Sequence, residues 1–509
     1  MTENQQQRKH LNTTAIGGSI AMVSTIVFNG GRLAIAGLLT RLLGDTDYGL
    51  YVLGMSFFML LSGVSVFGLP QAVVRWGASF YTNDELAQFR RLLNTCAALA
   101  SVCAVFCGCL FYMFIDEMSA YVGSPALAPL LLCFLFTLPF FFATEILAAT
   151  SRALHNILWC SLIKEILPVC FQAIGIAIIA WRGPTPQSAI AVFGASYFFA
   201  AVIGSVYLLR RYPRIAHRSQ SALSSAVSSR AVVGFGATLS MITLAMLLRD
   251  RLGVLLIGKF LSPADAGVFF NASRLAILTT LFASAFNTIL APQASSLTSS
   301  GSTGTLNSLY QAVVRWSILF AFPFALLLIV FAPFFMQIFF GDVSAGAGSL
   351  LALLVAFRFA MLFAGAPSLI LQMSGNQRYD LLGLGASVIG TAIVLYIALP
   401  RWGVFGAVVA TSLMNLLVDA FRAAVVYAKF RVAPVSVADA IKYAAMFAPL
   451  VAAAFWLHQW DVVIPPVVIS VGLAVVLAAF VSFNMEVEDW RLLRNFVSFV
   501  QIRFRRRQA

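Results

Sequence analysis

Charge is what this sequence has least of: only 10% of its 509 residues are Asp, Glu, Lys or Arg. Soluble domains carry about 25%, so this chain cannot cover a fold of its size with a water-facing surface. Negative charge is the scarcer sign, with 19 carboxylates against 33 Lys and Arg and a net charge of +14. There are four histidines (His10, His155, His217 and His458), and none has an acidic or cysteine partner at ligand or triad spacing. That spacing removes the common metal sites and proton-relay triads. No G-x-x-x-x-G-K-[ST] stretch is present, so no built-in ATPase is expected. Gly383-Leu384-Gly385 lies inside an apolar segment and lacks the strand–turn–helix setting of a nucleotide site. The seven cysteines (Cys96, Cys103, Cys107, Cys109, Cys133, Cys160 and Cys170) all fall in apolar stretches of the first half. They read as small hydrophobes rather than disulfides or metal ligands. Outer loops long enough to fold a catalytic domain are also missing. The expectation is a non-enzyme with no metal, no organic cofactor and no nucleic-acid partner.

What is abundant is apolar sequence. Hydrophobic residues make up 61% of the chain, and the mean hydropathy is +0.91. A bilayer core about 30 Å thick needs roughly 20 apolar residues per helix. Charge-free runs of that order recur, among them Leu11–Gly31, Tyr48–Val74, Met118–Thr144, Gly183–Leu209, Trp316–Gly341 and Val462–Met485. The sequence predicts an all-α polytopic membrane protein of about fourteen transmembrane helices. The polar start is followed by an apolar run too long for a cleaved signal peptide, so that run is read as the first span. Basic residues then divide unevenly. With the N-terminus inside, most of the 33 fall on the cytoplasmic side, and only Arg41, Arg182, Lys259 and Arg401 sit on the opposite one. This is the positive-inside pattern, and it places both termini in the cytoplasm.

The longest polar connection, Arg210–Arg230, is basic and serine-rich. It divides the chain into an N-terminal lobe of six spans (1–209), a cytoplasmic linker (210–230) and a C-terminal lobe of six spans (231–431). Two extra spans (432–485) and a tail (486–509) follow. In the tail Trp490, Leu493, Val497, Val500 and Phe504 share one helical face beside arginines, a pattern suited to lying on an anionic leaflet. The lobes carry a repeated phrase. At an offset of 218 residues, Lys259–Gly267 falls on Arg41–Gly49, with Asp265 over Asp47, Gly267 over Gly49 and Asp250 over Arg32. Six spans per lobe make this a parallel repeat about an axis normal to the membrane.

Six arginines (Arg32, Arg249, Arg251, Arg274, Arg358 and Arg422) fall inside predicted spans, with Glu145, Asp250 and Asp419. On insertion scales each costs about 2.5–3.5 kcal/mol at mid-bilayer, so they must be paired, interfacial or facing a wet cavity. Arg422 has Asp419 at i−3 and reads as a structural pair at the cytoplasmic edge. The other five are predicted in the outer half of the membrane. Asn29 and Thr25 share a face with Arg32, and Asn271 shares one with Arg274. Asp250 is expected to neutralise a neighbouring arginine or Arg32. One carboxylate against five arginines leaves a cationic cavity, and guanidinium forks suit phosphate oxygens.

The turn phrase Arg41–Tyr51, the seventh-span phrase Asp250–Gly267 and the link Pro400–Ala407 resemble the polysaccharide transporter branch (Wzx-type flippases) of the multidrug/oligosaccharidyl-lipid/polysaccharide (MOP) exporter superfamily. The likeness runs nearly the full length. It implies a V-shaped pair of lobes that alternates its opening and carries an isoprenoid-pyrophosphate-linked oligosaccharide to the outer leaflet for surface polysaccharide synthesis. It also implies that cavity-lining Arg32, Arg249, Arg251, Arg274 and Arg358 meet the pyrophosphate or acidic sugars, and that H+ or Na+ couples transport, with Asp250 as the candidate group. Partners would be the lipid-linked oligosaccharide, membrane lipids and other polysaccharide-assembly proteins, around a monomeric transporter. A lipid II flippase or a cation-coupled multidrug exporter of the same superfamily are the alternatives; the exporter typically has twelve spans and an acidic cavity.

Overall fold

A computed structural model describes residues 24, 27–212, 229–341 and 346–435 of the chain. The described backbone is helical, with no strand. Thr25, most of the basic linker, nearly all of 432–485 and the whole tail lie outside the described residues.

The repeated phrase folds as two like corners. Helix α1 (27–43) stops at Gly44, whose φ of 78° is open to glycine at no steric cost. Helix α2 (Asp45–Ser65) then starts with Asp45 and Asp47 in its first turn, where carboxylates meet the positive end of the helix dipole. In the second copy, α10 (Ser229–Phe260) ends before Ser262, and α11 (Pro263–Ile277) begins with proline at its first position. The Ser262 hydroxyl accepts from the Asp265 N–H at 3.1 Å and donates to the Asp265 carboxylate at 2.6 Å. The acidic residue of the phrase is thus a first-turn residue in both corners.

The N-terminal lobe continues through α3 (Leu69–Thr82), α4 (Leu86–Met113), α5 (Ile115–Val122), α6 (Leu127–Ala153), α7 (Ile157–Ser161), a π-turn at Leu162–Ile166, α8 (Leu167–Ala180) and α9 (Pro186–Arg211). The C-terminal lobe continues through α12 (Leu281–Ser299), α13 (Thr303–Val330), α14 (Ala332–Phe340), α15 (Ala347–Met361), α16 (Pro367–Met373) and α17 (Gln377–Phe430). Among the described residues ten helices are long and apolar enough to cross a membrane. The last of these, α17, has 54 residues, about 81 Å at 1.5 Å per residue, which is too long for one crossing. It reverses at Gly403, which has φ 55° and ψ −143° just after Pro400. Gly383 therefore faces Val418, Phe421 and Arg422, Gly390 faces Met414, and Gly406 comes back against the Ala398 carbonyl. These are two antiparallel spans, so α17 supplies two of the six spans predicted for 231–431.

In the first lobe α9 packs on α6 and α8, with α3 and α4 on α6; in the second, α10 packs on α17, α12 on α13, and α15 on α11 and α13. The lobes meet along α2, which lies against both α10 and α11. Small residues allow this approach, as in other membrane helix pairs. A Cβ at Gly49 would overlap the Pro263 carbonyl, and one at Gly267 would sit 3.3 Å from the Gly49 Cα. The two copies of the repeated phrase thus pack on each other, glycine against glycine. Arg41 adds a polar tie at the same end, donating to the carbonyls of Gln337 (3.2 Å) and Ile338. At the other end α2 bends at Phe67 and Gly68, both at positive φ, and Gly236 of α10 fits into the bend.

The parallel repeat makes a simple topological demand. Single cysteines at Asp45 and Asp265, in a background without the native seven, are expected to react with an impermeant maleimide from the same side of the membrane. Labelling of one but not the other would contradict the arrangement.

Candidate functional site

Twelve residues separate Arg32 from the turn at Gly44, and twelve separate Arg274 from Ser262. At 1.5 Å per residue both lie about 18 Å from their turns, close to the middle of a bilayer core about 30 Å thick. Arg251, ten residues before Leu261, reaches a similar level. The three come from α1, α10 and α11, one on the first lobe and two on the second. Arg251 and Arg274 meet over the same Phe270 ring, and Arg32 and Arg274 line one cavity. The sequence expected this convergence at the outer half of the membrane; the helix lengths place it nearer the midplane.

Aromatic rings supply part of what these cations lose in leaving water. The Phe270 ring lies 4.6 Å from the Arg274 guanidinium and 5.4 Å from that of Arg251, and Phe28 lies 4.9 Å from that of Arg32. Such contacts gain strength away from water. They leave the N–H donors unspent. The Nε groups of Arg251 and Arg274 are buried without an acceptor among the described residues, and no carboxylate there lies within ion-pair distance of Arg32, Arg251 or Arg274. Arg32 and Arg274 line a small cavity with Tyr48, Tyr51, Gln172 and Phe270. At about 20 Å³ it has room for about one water molecule.

Tyr48 fixes the geometry of this site. Its hydroxyl donates to Asn271 Oδ1 at 2.6 Å, and Asn271 Nδ2 donates to Thr40 Oγ1 at 2.9 Å. Thr40 in turn donates to the Ala36 carbonyl at 2.8 Å. This buried chain ties α2, α11 and α1 together one turn away from Arg274. Asn271, predicted from its spacing to face the cavity with Arg274, is 1% exposed and spends both ends of its amide on the bridge. Asn29 is part-buried on α1, one turn before Arg32.

Arg249 and Arg358 form a second group. Arg249 lies 3.7 Å from Asp250, whose side chain is 62% exposed. Arg358 is under the influence of Asp250, Arg249 and Asp419. Asp250 therefore pairs with a neighbour, one of the two outcomes expected of it. At the end of this lobe Arg422 binds Asp419 at 3.0 Å, as its i−3 spacing predicts, and also Asp380 at 2.8 Å. The Gln372 side-chain amide satisfies the other Asp380 oxygen at 2.9 Å. In the first lobe Glu145 is held by Lys164 at 2.8 Å. The intramembrane ledger thus carries one more carboxylate, Asp380, than the sequence reading gave it. Six arginines still face only four carboxylates, one of which, Glu145, is held by Lys164, so the cationic excess remains.

Sequence reasoning missed Tyr48, Tyr51, Gln172 and Phe270 as cavity residues. The two tyrosines had a signal, because they belong to the repeated turn phrase. Gln172 and Phe270 had none, since each depends on how the lobes are brought together.

The comparisons with known proteins fit this geometry. The family described as "Polysaccharide biosynthesis protein" matches residues 38–344. Among solved structures, the chain is similar to the lipid II flippase MurJ in an inward closed conformation, at 15% identity and a TM-score of 0.68, covering 90% of this chain and 98% of that one. It is similar to an inward-facing multidrug resistance MATE family transporter of the MOP superfamily, at 13% identity and a TM-score of 0.61, covering 78% and 96% of the two chains. A third is a MOP superfamily transporter from Pyrococcus furiosus Vc1 with a binding pocket of reverse polarity, at 14% identity and a TM-score of 0.55, covering 80% and 92%. No curated protein matches the chain. At these identities the structures establish the fold, and the family match covers more than half of the sequence. The chain is a multi-pass membrane protein with the MOP exporter fold, and it belongs to the polysaccharide biosynthesis protein family.

Proposed function

We propose that the protein is a flippase that moves an isoprenoid-pyrophosphate-linked oligosaccharide from the cytoplasmic to the outer leaflet of the cell inner membrane by alternating access of its two lobes. The observation that carries this reading is the group of Arg32, Arg251 and Arg274, about 15–18 Å along their helices from the turns, with the buried Nε donors of Arg251 and Arg274 unpartnered and no carboxylate within pairing distance of the three among the described residues. A cationic passenger would be repelled there, which argues against the drug-exporter alternative. A pyrophosphate offers several acceptor oxygens, and guanidinium groups bind such oxygens in a bidentate, charge-assisted way.

The cavity, at about 20 Å³, is too small for a pyrophosphate. In this reading substrate enters only when the lobes part, and the phosphate then offsets the arginine charges that otherwise repel one another. Because Arg32 belongs to one lobe and Arg251 and Arg274 to the other, a phosphate held among them favours lobe closure. Opening toward the far side splits the clamp and weakens the hold. Arg249 and Arg358 extend the basic surface toward acidic sugars. Asp250, beside Arg249 and exposed, is the group we assign to H+ or Na+ coupling. Other polysaccharide-assembly proteins would receive the product, and the transporter would act as a monomer.

In a strain lacking the native protein, Arg32→Ala and Arg274→Ala are each expected to abolish surface polysaccharide while the variants still insert and accumulate as the unmodified protein does. Restoration of normal polymer by both variants would overturn the cationic-clamp reading.

A further inference from the structure

A second cavity lies far from the arginine clamp, on the outside of the first lobe. It has a volume of about 470 Å³ and is lined by Trp159, Val202, Val206, Tyr207, Arg210 and Arg211. That volume is within the range of ligand pockets, about 300–1,000 Å³. Its walls change character along α9. Val202 and Val206 are each 43% exposed and lie nine and five residues before the helix end at Arg211, about 13 and 8 Å along the axis. Arg210 and Arg211 occupy the last turn, and both are exposed.

The wall between these levels is rigid. Trp159 stacks on Tyr207 with an interplanar angle of 11° and centroids 3.6 Å apart. Asn156 caps α7, its Oδ1 accepting from the Trp159 backbone N–H at 3.3 Å, and its Nδ2 donates to the Tyr207 hydroxyl at 2.7 Å, which fixes the tyrosine side of the stack. The π-turn at Leu162–Ile166 follows directly; such turns often mark functional sites. Because the Tyr207 oxygen accepts from Asn156, its own O–H remains to be donated, and no acceptor takes it among the described residues. The arginines are equally unspent, with no carboxylate paired to Arg210 or Arg211 among the described residues. The sequence from Arg210 to Arg230 contains five arginines and no acidic residue, so the linker that begins here cannot neutralise them.

We propose that this groove is a binding site for an anionic phospholipid, with an acyl chain along Val202 and Val206 and the phosphate held by Tyr207, Arg210 and Arg211. The site is independent of the cargo and would tie the lobe to the leaflet at which α9 ends. A zwitterionic lipid brings its own cation to the same place and is disfavoured by the two arginines.

Native mass spectrometry of the full-length protein in mixed phosphatidylglycerol and phosphatidylcholine tests this assignment. The protein is expected to retain phosphatidylglycerol preferentially, and the Arg210→Gln/Arg211→Gln double variant to lose roughly thirtyfold of that preference, at about fivefold per basic residue near the surface. Arg182→Gln, at the opposite end of the helix pair, is expected to leave it unchanged. Equal retention of the two lipids by the unmodified protein overturns the proposal, as does an unchanged preference in the double variant. Displacement of the lipid by inorganic phosphate at millimolar concentration also overturns it, because the apolar wall would then contribute nothing.

Discussion

Replacing Arg422 with alanine is expected to destabilise the protein by about 3–5 kcal/mol, the typical cost of removing one partner from a buried ion pair. Its side chain is 5% exposed and lies between Asp380 at 2.8 Å and Asp419 at 3.0 Å. Alanine would strand two carboxylates inside the membrane with Gln372 as the remaining donor to Asp380. The expected result is a large fall in thermal midpoint in detergent and in steady-state abundance in membranes. Removing the whole group tells burial from charge. An Asp380→Asn/Asp419→Asn/Arg422→Leu triple variant is expected to recover most of the loss, because neutral side chains of similar size cost far less to bury than unpaired carboxylates. If Arg422→Ala were as stable as the unmodified protein, Arg422 would not hold these two spans together.

The second large effect is expected at Gly49. A valine there would drive its side chain into the Pro263 carbonyl, and backbone cannot step aside as a flexible side chain can. Overpacking of this kind costs about 1–3 kcal/mol in ordinary cores. At this position the strain has a specific outlet, separation of α2 from α11, and with it of the lobes. Spin labels at Asp47 and Asp265 are therefore expected to move apart in Gly49→Val, with loss of surface polysaccharide. Gly267→Ala should show the same change more weakly, since its Cβ would meet Tyr48 Cδ1 at 3.2 Å and the Gly49 Cα at 3.3 Å. An unchanged distance in Gly49→Val would mean that the contact between the repeated turns does not set how the lobes close.

These two sites mark the boundary of what the sequence made legible. The repeat aligned Asp47 with Asp265 in the turn phrase, and the structure makes both of them first-turn residues, because such turns are set by local sequence. It also identified Gly49 and Gly267 as equivalents. That the two glycines would touch is a property of the assembled lobes, which no local pattern encodes. Arg422 and Asp419 could be paired from their i−3 spacing, whereas Asp380 is 42 residues away from Arg422 and becomes its partner only through the reversal at Gly403. The cavity divides in the same way. The cost of intramembrane charge picks out Arg32, Arg251 and Arg274 by residue type alone. The sharing of Phe270 by two arginines, and the commitment of Asn271 to Tyr48 and Thr40, needed the packed structure.

The central claim is that the arginine clamp recognises a lipid pyrophosphate and carries it across the membrane. Its most direct test is translocation of a defined isoprenoid-pyrophosphate-linked oligosaccharide in proteoliposomes, with and without a proton or sodium gradient. The unmodified protein is expected to move it, faster with the coupling gradient, while Arg274→Ala in the same vesicles falls to the protein-free rate. Equal transport by Arg274→Ala and the unmodified protein would contradict the account, as would transport of an organic cation in place of the pyrophosphate-linked lipid.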